Sequence, residues 1–180
     1  MQELSMNILD VAQNSVSAGA CEISISVSCN KNVDLLTIII EDNGKGMSAE
    51  ALENVTDPFF TTRTTRDVGL GVPLFKMAAE MAGGEFYIAS QEGRGTTVKA
   101  TFVYSHIDRA PMGDLAETIG QFICLNEEIS INFTYEVDDL KFQASTAEFT
   151  TVLEGLPLGT PQVMLLVCGY LKDNMDNIEN

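Results

Sequence analysis

The chain has 180 residues, 45% of them hydrophobic, with 26 acids against 10 bases for a formal net charge of −16. That length can bury a core as one domain, or as one domain with a small appendage. So large a negative charge argues against a nucleic-acid partner, because phosphate backbones are held by clustered Lys and Arg. No apolar run is long enough to span a bilayer and no basic segment precedes an apolar one at the start, so a cytoplasmic protein with no membrane partner is expected. Cys21, Cys29, Cys124 and Cys168 show no CxxC spacing and the chain has one histidine, so they read as reduced, mostly buried thiols rather than a metal site.

In chain order, apolar residues at Leu4, Ile8, Leu9, Val11, Ala12 and Val16 predict a helix over 3–19, ended by Ala18-Gly19-Ala20. Ile23, Ile25 and Val27 alternate with polar residues and predict a half-buried strand over 22–28. Asn30-Lys31-Asn32 turns the chain into an apolar strand, 33–41. Ser48 caps a short helix to about Val55, with Glu50 in its first turn. Residues 57–68 are rich in Thr and Arg without periodicity and read as a loop. Pro73 suits the first turn of a helix that runs to about Met81 and closes at Gly83-Gly84. Strands 85–90 and 96–104 follow, joined by Glu92-Gly93-Arg94-Gly95. This order predicts a two-layer α/β sandwich: one mixed sheet with helices on one face.

After Tyr104 the pattern changes. A helix over 113–125, a hairpin of 129–137 with 140–146 turning at Asp138-Asp139, and helices 147–154 and 161–173 make a small C-terminal α+β region. We divide the chain into residues 1–104 and an acidic accessory region, 105–180, which either stands alone or extends the first sheet. Residues 174–180 read as a frayed tail. Residues 105–180 hold 13 acids against Arg109, Lys141 and Lys172, whereas Lys45, Arg63, Arg66, Lys76, Arg94 and Lys99 fall between 45 and 99. A polyanionic ligand needs such a local reversal of sign.

Several short runs carry chemistry. Asp42 ends a buried strand and is followed by Asn43-Gly44-Lys45-Gly46-Met47. A carboxylate there can accept from an exocyclic amine such as adenine's, with Gly44 and Gly46 leaving room for the ring and Met47 beside it; a hairpin turn and a core methionine are the plainer alternatives. Asp10 and Asn14, four apart, share a helix face. An asparagine oxygen can ligate Mg²⁺ when phosphates and water supply the rest, and Asp10 one turn earlier could activate a water; alternatively both only solvate the helix. Gly69-Leu70-Gly71 opens a helix whose free amides would suit an anion, or serves as a turn.

Taken with Leu4-Ser5-Met6-Asn7-Ile8-Leu9-Asp10-Val11-Ala12-Gln13-Asn14-Ser15, Asp57-Pro58-Phe59-Phe60-Thr61-Thr62-Arg63 and Gly93-Arg94-Gly95-Thr96-Thr97, these runs resemble, in order, the ATP-binding domain shared by gyrase, the ninety-kilodalton heat-shock ATPase, histidine kinases and MutL (the GHKL superfamily). The resemblance covers about residues 1–104. It implies ATP and Mg²⁺ as ligands, Asn14 on the metal, Asp42 on adenine, Gly69, Leu70 and Gly71 at the phosphates, and Thr97 on adenine through a water, with an ordinary strand threonine as the equal alternative. It places a short lid at 61–68, in which Thr62, Arg63 and Arg66 would meet the terminal phosphates; solvated loop arginines are the alternative. Asp10 takes the position where hydrolytic members carry glutamate and is one methylene shorter. The lid is most like that of histidine kinases and the first motif most like that of MutL. The resemblance therefore implies phosphotransfer to a separate protein partner, ATP hydrolysis driving a conformational or dimerisation change, or a non-catalytic nucleotide switch, with a homodimer left open. The phosphoacceptor hairpin of a complete sensor kinase is not expected before the first motif, and His106 lacks that context.

Overall fold

The computed structural model describes residues 3–57, Phe59 and residues 69–179. Six strands form one sheet: β1 (Glu22–Asn30), β2 (Leu35–Asp42), β3 (Phe86–Gln91), β4 (Gly95–Val103), β5 (Ser130–Val137) and β6 (Leu140–Ser145). Their order is β3-β4-β2-β1-β5-β6. All neighbours are antiparallel except β1 and β5, so the sheet is mixed, as expected.

Strict alternation sets the sheet's two faces. Ile23, Ile25 and Val27 of β1, Leu36, Ile38 and Ile40 of β2, and Ile131 and Phe133 of β5 are buried in register on one face. The opposite face carries half-exposed Ser24, Ser26, Ser28, Thr37, Thr101 and Thr134. Such period-two patterning requires cover on one side only. The cover is helical: α1 (Leu4–Ser17), α3 (Gly71–Met81), α4 (Leu115–Leu125) and α6 (Pro161–Glu179), with short α2 (Ala49–Asn54) and α5 (Thr146–Val152) at the margins. In α1 the residues Leu4, Ile8, Val11, Ala12 and Ser15 are buried, one stripe at helical spacing. Each large side chain so buried stabilises the fold by roughly 1.5–3 kcal/mol. Phe75 of α3 packs edge-on to Phe86 and tilted to Phe102, which fixes α3 over β3 and β4.

Local chemistry sets helix starts, at Ser48 as expected. The Ser48 hydroxyl accepts from the Ala51 amide at the start of α2, and Ser145 and Asp114 cap α5 and α4 in the same way. One expectation fails. Residues 174–179 are not frayed but continue α6, because Met175 is buried and Glu179 accepts the Tyr135 hydroxyl. The apolar spacing Val163, Val167, Leu171, Met175 carries through the polar run that suggested a tail. Met175→Ala should therefore lower stability by about 2 kcal/mol, read as a shift in the urea midpoint; a change indistinguishable from zero would restore the frayed tail.

Strands β5 and β6 extend the sheet through β1, so residues of the C-terminal region share the core of the first. No described helix is long and apolar enough to cross a membrane.

Candidate functional site

A cavity of about 550 Å³ lies where α1, the end of β2, the 45–47 loop, α2 and the start of α3 meet. Of the residues singled out from sequence, Asn14, Asp42, Gly46, Met47 and Gly69 stand on its wall. Ile40, Val72, Ile88 and Val98 add an apolar surface, which suits a flat ring. Lys45 is its only basic wall residue among those described.

Asp42 is the best-defined member. One carboxylate oxygen accepts the Ser15 hydroxyl at 2.6 Å and the other accepts the Gly44 amide at 2.9 Å. The α1 helix delivers Ser15 from its buried stripe, so the carboxylate is fixed from the core side and from its own loop. Each oxygen still has a lone pair for a donor in the cavity. The loop is held in turn: Lys45 N–H donates to Ala18 O, Met47 N–H to the Ser90 hydroxyl, and Gly93 N–H to Lys45 O. Asn43 accepts the amides of Cys21 and Glu22.

The glycines act differently from the expectation. Gly44 is buried, and a Cβ there would sit 2.9 Å from the Ala18 Cβ, so it lets the loop close onto α1 rather than lining the cavity. Gly46 is on the wall, but its φ of +66° and the Gln91 carbonyl 2.0 Å from an added Cβ make its lack of a side chain a backbone requirement. Gly71 is the first residue of α3 and meets Asp10, whose Cβ would lie 2.9 Å from an added one, so glycine permits the α1–α3 crossing. Leu70 is the N-cap of α3 and supplies no side-chain bond to the first turn. Pro73 has no N–H, which leaves the Gly71 and Val72 amides, and among the described residues neither finds an acceptor. An uncapped helix start beside the cavity can attract an anion.

Thr97 stands apart from the cavity. In the β2–β4 register Asp42 faces Thr96, whereas Thr97 faces Glu41 and its hydroxyl reaches that carboxylate at 3.5 Å. Successive strand residues point to opposite faces, so Thr97 is on the open face of the sheet and Thr96 is on the cavity wall. Thr96 also meets the Ser90 hydroxyl at 2.9 Å. Sequence reasoning missed Thr96 and Ser15; counting alternation back from Val98 would have found the first, and the helix stripe ending at Ser15 the second.

Asn14 is exposed on the wall, and among the described residues its side-chain amide makes no hydrogen bond. No group of three or more His, Cys, Asp or Glu that could cage a metal occurs among the described residues. Mg²⁺ here would fit only as an ion sharing one protein oxygen with phosphates and water, a coordination that suits it. Asp10 is half-buried at the α1–α3 crossing and is not on the wall. Thr62, Arg63 and Arg66 lie outside the described residues. Of the bases clustered in sequence, Lys45 is on the cavity wall, whereas Lys76 pairs with Glu80 at 4.0 Å on α3 and Lys99 points to the open face of the sheet. The four cysteines are free; burial raises the Cys29 and Cys168 thiols and pushes Cys124 up to about 11, which suits inert thiols.

Comparison with known proteins places the chain in a family. Residues 1–106 match the family described as histidine kinase-, DNA gyrase B-, and HSP90-like ATPase. The sensor histidine kinase ZraS of Escherichia coli is 33% identical over 94 residues, 52% of this chain and 20% of that protein. The sensor protein kinase FleS of Pseudomonas aeruginosa is 34% identical over 110 residues, 61% of this chain and 27% of that one. The chain thus spans about a quarter or less of the length of these relatives. A solved structure, the N-terminal domain of a DNA repair protein, has the same fold with a TM-score of 0.58 at 14% identity, over 84% of this chain and 57% of that one. By the match over more than half of its length, the chain belongs to the histidine kinase-, gyrase- and HSP90-like ATPase family.

Proposed function

We propose that the protein binds Mg·ATP in the cavity beneath Asp42 and passes the terminal phosphoryl group to a separate protein partner. The observation that carries the ATP reading is the Asp42 carboxylate, fixed by Ser15 and Gly44 at the edge of an apolar-walled cavity. Its remaining lone pairs would accept the adenine amine, with Thr96 alongside. The uncapped start of α3 would receive phosphate oxygens, and Asn14 on the cavity wall would hold Mg²⁺. A bound magnesium ion would neutralise phosphate charge. Arg63 and Arg66, outside the described residues, would meet the terminal phosphates.

Phosphotransfer is favoured over hydrolysis by Asp10. It is short for a water activator and lies off the cavity wall, whereas transfer to a partner side chain needs no activated water. His106 is a poor internal acceptor: it lies beside Gly83, at the end of α3 remote from Gly71, about 16 Å along the helix. Its Nδ1 accepts the Asp108 amide at 3.1 Å.

Purified protein with Mg·ATP labelled on the terminal phosphate, incubated alone and with candidate partners, tests this. Label on a partner and little free phosphate are expected. Steady release of free phosphate, abolished by Asp10→Ala, would instead make the protein a hydrolase. Thr96→Val should weaken ATP binding about fivefold, the loss of about one hydrogen bond, while Thr97→Val leaves it unchanged. The reverse order would return Thr97 to the site.

A further inference from the structure

A second cavity, of about 630 Å³, opens at the other end of the sheet. It is bounded by the ends of β1 and β5, the start of β2, the chain from Tyr104 to Ala116, and the last turns of α6. Leu36 of β2 lines it, whereas Asp42 of the same strand lines the first cavity, about 20 Å away at the rise of a strand. The volume falls within the roughly 300–1,000 Å³ of small-molecule sites.

Charge singles it out. The chain has only 10 bases, yet Lys31, Arg109 and Lys172 all line this cavity. Among the described residues none of the three makes a salt bridge. Arg109 is held in place: its Nε donates to Tyr104 O at 2.6 Å, its Nη1 donates to Ala110 O at 3.0 Å, and its guanidinium lies 5.0 Å from the Tyr104 ring centre. A guanidinium held through Nε and Nη1 keeps Nη2 for a ligand and loses little entropy on binding. Lys31 and Arg109 are both near enough to Cys29 to oppose the rise that burial imposes on its thiol.

Three carboxylates also line the cavity. Asp114 accepts the Glu117 amide as the cap of α4, Glu179 accepts the Tyr135 hydroxyl, and Asp176 stands one turn from Lys172 on α6. Arg109 and Lys31 come from the strand-end segments, Asp114 and Asp176 from the cap of α4 and from α6, and Glu179 of α6 reaches across to Tyr135 of β5. Leu36, Val137, Met112 and Met175 add an apolar surface with two adaptable thioethers.

We propose that this cavity is a second ligand site, for a small organic anion whose apolar or aromatic body rests on Leu36, Met112 and Met175 and whose carboxylate or phosphate head is held by Arg109 and Lys31. Its walls come both from the motif-bearing part of the chain and from the acidic C-terminal part, so a ligand here ties the end of α6 to the strand ends. The site is independent of the nucleotide reading.

Backbone amide NMR of the full chain, titrated separately with benzoate, phenyl phosphate and benzylamine, is the test. We expect one or both anions to shift the amides of Cys29, Lys31, Leu115 and Ala116 saturably, the tighter naming the head group, and the cationic amine to leave them unmoved. Arg109→Gln should weaken the anion about tenfold. Lys31→Ala, an exposed change that spares the fold, should weaken it about threefold. No saturable shift at these amides, an equal response to benzylamine, shifts confined to residues around Asp42, or an affinity unchanged by Lys31→Ala would each overturn the proposal.

Discussion

Replacing Asp42 with asparagine should weaken ATP binding about tenfold to a hundredfold while leaving the fold intact, the range set by losing one hydrogen bond to a charged acceptor. The structure explains why the two effects separate. The Gly44 amide can only donate, so it keeps the asparagine carbonyl oxygen on its side. The amide nitrogen then falls beside Ser15, whose hydroxyl can rotate to accept instead of donate. Both internal bonds survive and the loop stays in place. What is lost is one of the two acceptors offered to the cavity, the one on the Ser15 side, where a donor now opposes the donor of the adenine amine. Calorimetric titration with ATP and with a purine triphosphate lacking that amine checks this. The loss should appear for ATP and largely vanish for the analogue; a variant that binds ATP as the parent does removes Asp42 from adenine recognition.

Asn14→Ala should abolish the part of ATP affinity that depends on magnesium, about tenfold or more if the ion bridges protein and phosphate. Asn14 is exposed, and among the described residues its side-chain amide has no partner, so its loss removes no internal contact. Alanine is also the better helix former by several tenths of a kcal/mol, so α1 should not weaken. The parent should bind ATP more tightly with magnesium than with a chelator, and the variant equally in both. A full magnesium effect in the variant would move the metal elsewhere. With the fold preserved in both variants, failure of one role does not disturb the other.

The element order and the family resemblance were legible in the sequence because they rest on local signals. Period-two alternation in 22–28, the helical stripe from Leu4 to Val16 and the serine cap at 48 each act within a few residues, and the structure repeats them. The order of Asp42, the Gly69-Leu70-Gly71 run and the Gly93-Arg94-Gly95 run is likewise a property of the chain alone. The end of α6 was misread because the burial of Met175 in the core and the bond of Glu179 to Tyr135 of β5, far away in sequence, outweigh a polar local composition.

The site shows the same division more sharply. The sequence by itself determined that a carboxylate would end a buried strand and that an asparagine would stand one turn from Asp10 on a helix. Alternation back from Val98 marks Thr96 as the core-facing threonine, but only the tertiary structure decided what it stands beside, because register between β2 and β4 sets it opposite Asp42. That pairing joins segments more than fifty residues apart, and a shift of one residue would change every partner. The glycines were visible, but their reasons were not: Gly44 yields to Ala18, Gly46 to the Gln91 carbonyl and Gly71 to Asp10, all contacts between segments distant along the chain. The gathering of Lys31, Arg109 and Lys172 around one cavity is of the same kind. Three bases spread over more than a hundred residues meet only because β1, the chain after β4 and α6 end at the same edge of the core.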